Sequence, residues 1–327
     1  MPNRPNSPLR DRWHRLSACA NLTRALLLSA LPLTVLHSNA QIHYASGQDV
    51  VPVFEGWERN ADGTFNMVFG YMNRNYEEHV DIPVGPNNSI DPGGPDHGQP
   101  AHFYPRRQEF VFKVKVPGDW GDKDLVWTLE RNGKVEKAYG SLLPVYELGT
   151  LVYLENRRGA GALTFPEEPN KPPSIEMVGS SKRTAVAGEP LTLSTDVTDD
   201  GYPKPRPRPA RGPGFRESGR ERLPGPQTQQ SPITQAIVKL EPGVRLGVTW
   251  VLYRGGPGPV TFDPMHVPIV RSEVSDATSN PGPLAGRATT KATFSAPGTY
   301  RLRAYADDGA LATPLDVEVI VEAPGKP

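Results

Sequence analysis

The sequence predicts an all-β protein made of two β-sandwich domains, and three observations support this fold class. Apolar residues alternate with period two in several segments, as they do in half-buried strands. No segment of twelve or more residues keeps a helical period. The 327 residues include 37 Pro and 32 Gly, more than a fifth of the chain, which supply turns between short strands. A chain of this length can form two domains, each with its own core.

The first group of strands lies between residues 65 and 129. Its three clearest segments place apolar side chains at every second position, which predicts one buried face for each strand. In the first segment, Gly70 predicts a β-bulge or a close approach of another backbone. The alternating residues are Phe65, Met67, Phe69 and Tyr71, then Phe110, Phe112, Val114 and Val116, then Leu125, Trp127 and Leu129.

A second group of strands follows FPEEPNKPPS (Phe165–Ser174), whose prolines cannot donate to a β-ladder and therefore indicate a linker. Gly and Pro turns separate these strands, one strand has a central Trp, and a PGTY turn precedes the penultimate strand. These features favour an immunoglobulin-like sandwich. The predicted strands are LTLSTDV (Leu191–Val197), RLGVTWVLYR (Arg245–Arg254), KATFSA (Lys291–Ala296), YRLRAYA (Tyr300–Ala306) and LDVEVIVE (Leu315–Glu322).

Two resemblances sharpen this interpretation. Residues 173–323 resemble bacterial Ig-like or PKD-like domains in the segments AGEPLTLSTDVTDDG, WVLYRG, PGTYRLRAYADDG and VEVIV. The earlier part resembles a β module of secreted and surface bacterial proteins in FGYMNRN, IPVGPNN, DHGQPAHFYPRRQEFVFKV and WTL. Together they are similar to an uncharacterised family of predicted secreted bacterial proteins. The resemblance implies a fold and a location and supplies no catalytic residues.

The first forty residues have the regions of an export signal. Five arginines form a basic front, ALLLSALPLTVL (Ala25–Leu36) is apolar, and SNA (Ser38–Ala40) has the small residues that signal peptidase accepts. An apolar run this short does not span a hydrocarbon core of about 30 Å, so we predict cleavage after Ala40 and no transmembrane segment afterwards. LSAC (Leu16–Cys19) resembles a lipobox, but it precedes the apolar run, which disfavours a lipoprotein.

Cysteine usage and charge narrow the class further. Cys19 is the only cysteine, so the mature chain would have neither a disulfide nor a thiolate metal ligand. The leader holds five Arg and one Asp, which leaves 31 of 36 basic and 35 of 36 acidic residues in the mature chain. This balance gives no reason to expect nucleic acid or an anionic membrane as a partner. We predict a secreted or periplasmic protein.

These observations divide the chain into segments with distinct predicted roles. The segments are a signal peptide (1–40), an N-terminal β-sandwich-like domain (41–160), a linker (161–173), an immunoglobulin-like domain (174–323) with a disordered insertion (202–232), and a tail (324–327).

The loop GPNNSIDPGGPDHGQPAHFYP (Gly85–Pro105) concentrates acids, amides and histidines between two strands. A metal site needs three or four converging ligands, but His97 and His102 are five apart, which is not a standard zinc spacing. Nine Gly or Pro among its 21 residues favour a rigid binding loop over metal binding or catalysis. Asparagines near its ends suit either a glycan or Asx-turns, and turns are favoured. The candidate ligand-binding residues are Asn73, Asn75, Asn88, Asp96, His97, Gln99, His102 and Tyr104.

Two DDG triplets, Asp199–Gly201 and Asp307–Gly309, would follow strands B and F of the immunoglobulin-like domain and so lie at the same pole. Clustered carboxylates repel one another unless a cation or a basic side chain lies among them. Calcium is one candidate, which would make Asp199, Asp200, Asp307 and Asp308 a metal site. The simpler interpretation is that each Asp caps its own D-G turn.

The segment Tyr202–Pro232 holds seven Lys or Arg, two Glu, and twelve Pro or Gly among 31 residues, so it cannot form a core. It suits either contact with a polyanion or a tolerated insertion whose arginines lie over the acidic pole, and we favour the insertion.

Enzyme motifs are missing from the sequence: it has no G-x-S-x-G, no H-E-x-x-H, no phosphate-binding glycine loop and no cysteine outside the leader. We therefore predict a non-catalytic binding, adhesion or structural module of the bacterial envelope that presents loops to a glycan or protein. The alternative is a polysaccharide-active hydrolase or lyase, whose carboxylates would come from separate strands and leave no local motif.

Overall fold

A computed structural model describes residues 44–149, 152–153, 170–202, 237–238, 244–269 and 283–325, all of which belong to one compact unit. The predicted signal peptide with Cys19, most of the linker and nearly all of the insertion lie outside these residues. Within the described ranges, no helix is long and apolar enough to cross a membrane.

The described residues form seventeen strands and a short 3-10 turn at Pro144–Tyr146, which confirms the all-β fold class. The strands of the first group are β1 (Val50–Arg59), β2 (Phe65–Asn73), β3 (Val80–Asp81), β4 (Asn88–Asp91), β5 (His102–Phe103), β6 (Arg106–Val116), β7 (Leu125–Arg131) and β8 (Lys134–Gly140). Those of the second group are β9 (Ser174–Met177), β10 (Lys182–Val186), β11 (Pro190–Asp199), β12 (Gly247–Gly255), β13 (Val260–Asp263), β14 (His266–Pro268), β15 (Leu284–Phe294), β16 (Gly298–Asp307) and β17 (Ala312–Glu322).

The first group forms a sandwich of two three-stranded sheets, in the orders β1-β2-β6 and β4-β7-β8, beside a small β3-β5 pair. Its core is rich in aromatic rings that meet at Trp127, which is fully buried on β7. The Trp127 ring lies 4.9 Å from Phe112 and 6.0 Å from Phe69, centroid to centroid, and both pairs are edge-to-face. This geometry is favourable for aromatic pairs and joins the two sheets.

A bulge lies where β2 meets β6, at the glycine that the sequence singles out. Phe69 pairs with Phe112, but Tyr71 pairs with Gln108, so three residues of β6 oppose Gly70. A Cβ at Gly70 would lie 2.4 Å from the Gln108 carbonyl oxygen. The predicted bulge and the predicted close approach are both confirmed.

The same bulge overturns one predicted face. Phe110 lies within it at φ 52°, and its ring packs on Tyr153 at 4.5 Å, in a small cluster with Val68. Phe112 packs instead in the main core. The prediction that Phe110 shares a face with Phe112 is therefore wrong, because the left-handed backbone takes Phe110 out of the alternation.

The second group forms a sandwich of two sheets, in the orders β13-β15-β11-β9 and β10-β17-β16-β12-β14. If β9, β11, β12, β13, β15, β16 and β17 are named A to G in turn, the sheets are ABED and CFG, as in a constant-type immunoglobulin domain. β10 adds parallel to β17, and β14 adds to the edge of β12. The strand topology confirms the immunoglobulin-like prediction.

Two features of the second core also match this fold. Trp250 on β12 is fully buried, and Tyr300 on β16 donates its hydroxyl to the Ala296 carbonyl oxygen at 2.7 Å, the contact of a tyrosine corner. Two residues after the corner, where antibody domains carry a cysteine, this chain has Leu302, which is fully buried. Aliphatic packing thus takes the place of the disulfide.

On its outer edge, strand β12 pairs with β14 along only part of its length. β14 pairs with residues 247–249, and Trp250 N donates to Met265 O at 3.0 Å. Beyond Trp250 this edge of β12 faces the loop between β4 and β6 of the first sandwich. The loop therefore lies against the part of the β12 edge that β14 does not pair with.

Candidate functional site

The loop Gly85–Pro105 docks on the uncovered edge of β12. Ala101 N donates to Tyr253 O at 3.0 Å, a backbone bond that continues the sheet. Next to it, Leu252 N donates to the Tyr104 hydroxyl at 2.8 Å. We call this contact between residues 96–104 and residues 252–254 the seam. It supplies partners for strand edge groups that would otherwise be open.

Side-chain hydrogen bonds reinforce the seam. The Arg254 guanidinium binds both carboxylate oxygens of Asp96, at 2.9 and 3.0 Å, and its Nε donates to Gln99 O at 2.6 Å. The Tyr253 hydroxyl donates to Gly98 O at 2.6 Å. The hydrogen bond from Arg254 lowers the pKa of Asp96 to about 2. Asp96 therefore serves the seam as a charged partner at neutral pH.

A small cleft opens beside the seam, between the two sandwiches. Four tyrosines contribute to its wall, and the hydroxyl of Tyr305 donates to Val111 O at 2.9 Å across it. The lining residues are Tyr71, Pro100, His102, Tyr104, Gln108, Val111, Ile237, Val238, Val251, Leu252, Tyr253 and Tyr305.

A chain of titratable groups lies at the rim of this cleft. Asp81 Oδ1 lies 2.7 Å from His102 Nδ1, and His102 Nε2 lies 3.0 Å from His79 Nδ1. The Tyr104 ring packs edge-on against both imidazoles. Burial and the neighbouring His102 lower the pKa of His79. The arrangement can hold a proton between two imidazoles and orient them through Asp81.

The four candidate amides are buried inside the first sandwich, and their side-chain N–H groups donate to acceptors of this chain. Asn88 also links the loop to the aromatic core, because its Oδ1 accepts from Trp127 Nε1 at 3.0 Å. Such bonds serve the fold, and a ligand contact by any of these amides stays a prediction. The backbone acceptors are Glu78 O and Phe103 O for Asn73, Gln48 O for Asn75, Ile82 O and Pro100 O for Asn88, and Asn88 O and Pro95 O for Gln99.

The two candidate histidines of the loop are separated by the structure. His97 is half-buried, and its backbone N–H donates to Gln99 Oε1 at 2.8 Å. His102 instead joins the chain with Asp81 and His79. Among the described residues, no group of three or more His, Cys, Asp or Glu side chains is arranged to hold a metal ion.

The DDG triplets begin at the ends of β11 and β16, which are strands B and F, as predicted. Each Asp caps its own turn: Asp199 accepts from Gly201 N, Asp200 from Tyr202 N, and Asp307 from Gly309 N. Asp308 Oδ1 accepts from Ala310 N and Leu311 N, both at 2.7 Å. These are the contacts of the simpler interpretation. Calcium binding at the four acids stays a prediction.

Two consecutive residues of the linker's end connect the triplets. Asn170 Nδ2 donates to Asp308 Oδ2 at 2.9 Å, and Lys171 N donates to Asp200 Oδ2 at 3.1 Å. Burial raises the pKa of Asp308 to about 7 and that of Asp199 to about 6. Arg245 binds Gly201 O and lies close enough to Asp199 to offset part of this rise. The predicted insertion arginines lie outside the described residues.

Five large exposed apolar side chains lie between residues 135 and 146, on β8 and in the turn that follows it. Val145 is 80% exposed, in a 3-10 turn that packs through Tyr146 on Phe54 at 5.7 Å. The turn is anchored by Trp57 Nε1, which donates to Leu143 O at 2.8 Å. We call this the β8 surface. Its members are Val135, Tyr139, Leu143, Val145 and Tyr146.

Comparisons with known proteins add little to this description. No protein-family model matches the chain, and no curated protein matches it. Solved structures that match include a chimeric titin Z1Z2-Z1Z2 tandem functionalised with a GRGDS peptide from fibronectin. The two are 11% identical, the match covers 83% of this chain and 100% of the titin chain, and the TM-score is 0.20. A score this low carries no argument, so the immunoglobulin-like assignment rests on strand topology.

Sequence reasoning missed the distant partners of the loop. His79 and Asp81 precede the loop and flank Val80, so alternation on β3 was a usable signal that they share a face. Tyr253 and Arg254 carried no such signal, because their contacts with the loop cross about 155 residues of sequence. Asn170 lies in a segment interpreted only as a linker.

Proposed function

We propose that this protein is a non-catalytic binding or structural module of the bacterial envelope, exported by its leader, that offers a surface to a glycan or protein partner. The all-β fold is compatible with this class. The β8 surface is the observation that carries the proposal. Exposed apolar side chains grouped in one part of a folded domain often mark a contact site.

The composition of the β8 surface suits a partner with both apolar and polar groups. Tyr139 and Tyr146 are rings with a polar tip, which can stack on a sugar or anchor in a protein pocket. Lys134 and Lys137 are exposed on the same strand, and Glu147 is exposed at the end of the turn. The loop Gly85–Pro105, in contrast, has many of its polar groups engaged in the seam.

The alternative activity, a polysaccharide-active hydrolase or lyase, is supported by one observation. The chain Asp81, His102 and His79 lies at the rim of a cleft, where an imidazole oriented by a carboxylate can act as a general base or acid. His102 already has partners at both ring nitrogens, so His79 would be the group that meets a substrate. Mutation of His79 to Gln would then abolish turnover of polysaccharide substrates.

The binding proposal is tested by Tyr139→Ser combined with Val145→Ser. We expect this pair to weaken binding of the mature protein to glycans on an array, or to isolated envelope fractions, by about tenfold or more, because it removes two exposed anchors. The matched control is Ile320→Ser, at an exposed aliphatic residue on β17 of the second sandwich.

The proposal fails if neither the array nor any envelope fraction retains the wild-type protein. It also fails if Ile320→Ser weakens binding as much as the pair does. Export is checked separately by mass spectrometry of the secreted or periplasmic protein, whose first residue should be Gln41.

A further inference from the structure

Two residues of this chain, Ile237 and Val238, line the cleft between the sandwiches. Both are half-buried there. The Ile237 backbone N–H donates to Gln108 Oε1 at 3.0 Å. Gln108 is itself fixed, because its Nε2 donates to Pro105 O at 2.9 Å and the residue is only 6% exposed. The cleft thus holds a preformed acceptor for one backbone N–H of a bound segment.

The remaining wall of the cleft favours aliphatic side chains. Tyr104, Tyr253 and Tyr305 turn their rings into it, while each hydroxyl is engaged in a hydrogen bond with a backbone group at its margin. Val111, Val251 and Leu252 add aliphatic lining, and the His102 imidazole, whose ring nitrogens lie within hydrogen-bond distance of Asp81 and His79, lies at the margin. A buried wall with engaged polar groups selects against charged side chains, because these would lose hydration without a partner.

We propose that this cleft is a binding site for a protein segment with two adjacent aliphatic residues, and that Ile237–Val238 are its intramolecular occupant. Recognition combines one backbone hydrogen bond, from Ile237 N to Gln108 Oε1, with apolar packing of the two side chains at the cleft. Because the occupant is part of the same chain, it acts at an effective concentration in the millimolar range and keeps competing segments out. This site is separate from the β8 surface and goes beyond the proposed function.

The test uses the full mature chain with Ile237→Asp and Val238→Asp, which should empty the cleft. The ligand is a labelled synthetic peptide of residues 231–240, SPITQAIVKL. We expect fluorescence anisotropy to show binding to this double variant that is about tenfold or more tighter than to the wild type, whose cleft is occupied. The same peptide with Asp in place of Ile237 and Val238 should not bind.

A second change locates the binding. Gln108→Met keeps the side-chain volume but removes the acceptor. In the double-variant background it should therefore weaken peptide binding at least about threefold, in proportion to one lost hydrogen bond. Thermal unfolding by circular dichroism checks that each variant is folded. If the Asp pair does not fold, Ile237→Ser with Val238→Ser replaces it, with the same expectation.

The proposal is overturned if the peptide binds neither the wild type nor the emptied variant. Equal binding of a scrambled peptide, or an affinity that Gln108→Met leaves unchanged, would also overturn it. Binding that is equally tight to the wild type and the double variant would show that Ile237–Val238 are not the occupant.

Discussion

The loop Gly85–Pro105 and the pole formed by the two DDG triplets look alike in the sequence and differ in the structure. Both are rich in Asp and Gly, and both were candidate ligand sites. The acids of the pole all accept hydrogen bonds from backbone N–H groups two or three residues ahead, and Asp308 and Asp200 also accept from Asn170 and Lys171. In the loop, Asp96 accepts from Gly98 N in the same local way, but it also binds Arg254 of the second sandwich, 158 residues away. Similar composition therefore supports hydrogen-bonded turns in both places, and the loop adds an ion pair between the two sandwiches.

The largest loss of stability should come from removing the Asn88 side chain, which holds the loop from inside. Asn88→Ala would leave Ile82 O, Pro100 O and Trp127 Nε1 without their side-chain partner in a buried region. We expect it to lower the free energy of unfolding by about 3–5 kcal/mol, since each buried group left unpaired costs about 1–3 kcal/mol.

Urea denaturation measures this loss, and Asn87→Ala is the matched control because Asn87 is an exposed neighbour. A cost for Asn88→Ala below that of two hydrogen bonds would mean that the loop is not held by this amide.

A smaller effect should come from the seam itself. Arg254→Ala removes the paired bonds to Asp96 and the bond to Gln99 O, and should cost about 1–2 kcal/mol. Arg287→Ala is the control: Arg287 and Asp196 form a pair of similar geometry on an exposed surface, and its loss should cost less than about 1 kcal/mol. Thermal or urea unfolding compares the two. Equal costs would contradict a stabilising role for the seam.

At the pole, we expect the free energy of unfolding to depend on pH. Asp308 has a pKa raised to about 7, whereas an Asp in the unfolded chain titrates near 4. The native state therefore holds this proton more tightly, and the resulting stability is present below about pH 4 and is lost as the pH rises through 7. Between pH 4 and 7 the unfolding free energy of the wild type should therefore decrease. In Asp308→Asn this decrease should be smaller by about 1 kcal/mol or more.

Urea denaturation at a series of pH values measures this slope. Asp196→Asn is a control of opposite sign, because Arg287 lowers the pKa of Asp196. An unchanged slope in Asp308→Asn would show that burial of Asp308 does not govern the pH response of the pole.

The smallest effect should be that of calcium. Because the acids of the pole already accept hydrogen bonds from their own turns, we expect millimolar calcium at pH 7.5 to shift the Tm by less than about 2 °C, a small fraction of a specific binding effect. Differential scanning fluorimetry with calcium, magnesium and chelator measures it. A larger rise with calcium that Asp308→Asn removes would support the metal site instead.

Much of the fold could be predicted because its signals are local. Alternation located β2, β7, β11 and β17, and the PGTY segment marked the start of the penultimate strand, β16. Gly70 indicated the bulge, since only a residue without Cβ fits that close to Gln108 O. Phe110 could not be placed by alternation, because its positive φ belongs to the bulge of β6, which depends on how β6 pairs with β2.

The candidate site was less predictable than the fold. Asp96 and Tyr104 were predicted to bind a ligand, which stays a prediction, and their partners Arg254 and Leu252 within this chain lie in the other sandwich. A sequence of one chain contains no signal for which distant edge a polar loop will meet. The DDG turns were predictable in their local form because an Asp two residues before a Gly caps its own turn.

The half-covered edge of β12 has a consequence for solubility. A second sandwich expressed alone, without the loop Gly85–Pro105, would expose Leu252–Arg254 as an open strand edge next to the tyrosine-lined wall. Such an edge is a template for pairing with other chains. Isolated second sandwiches should therefore associate as their concentration rises, whereas in the intact chain the loop occupies that edge and keeps the molecules apart.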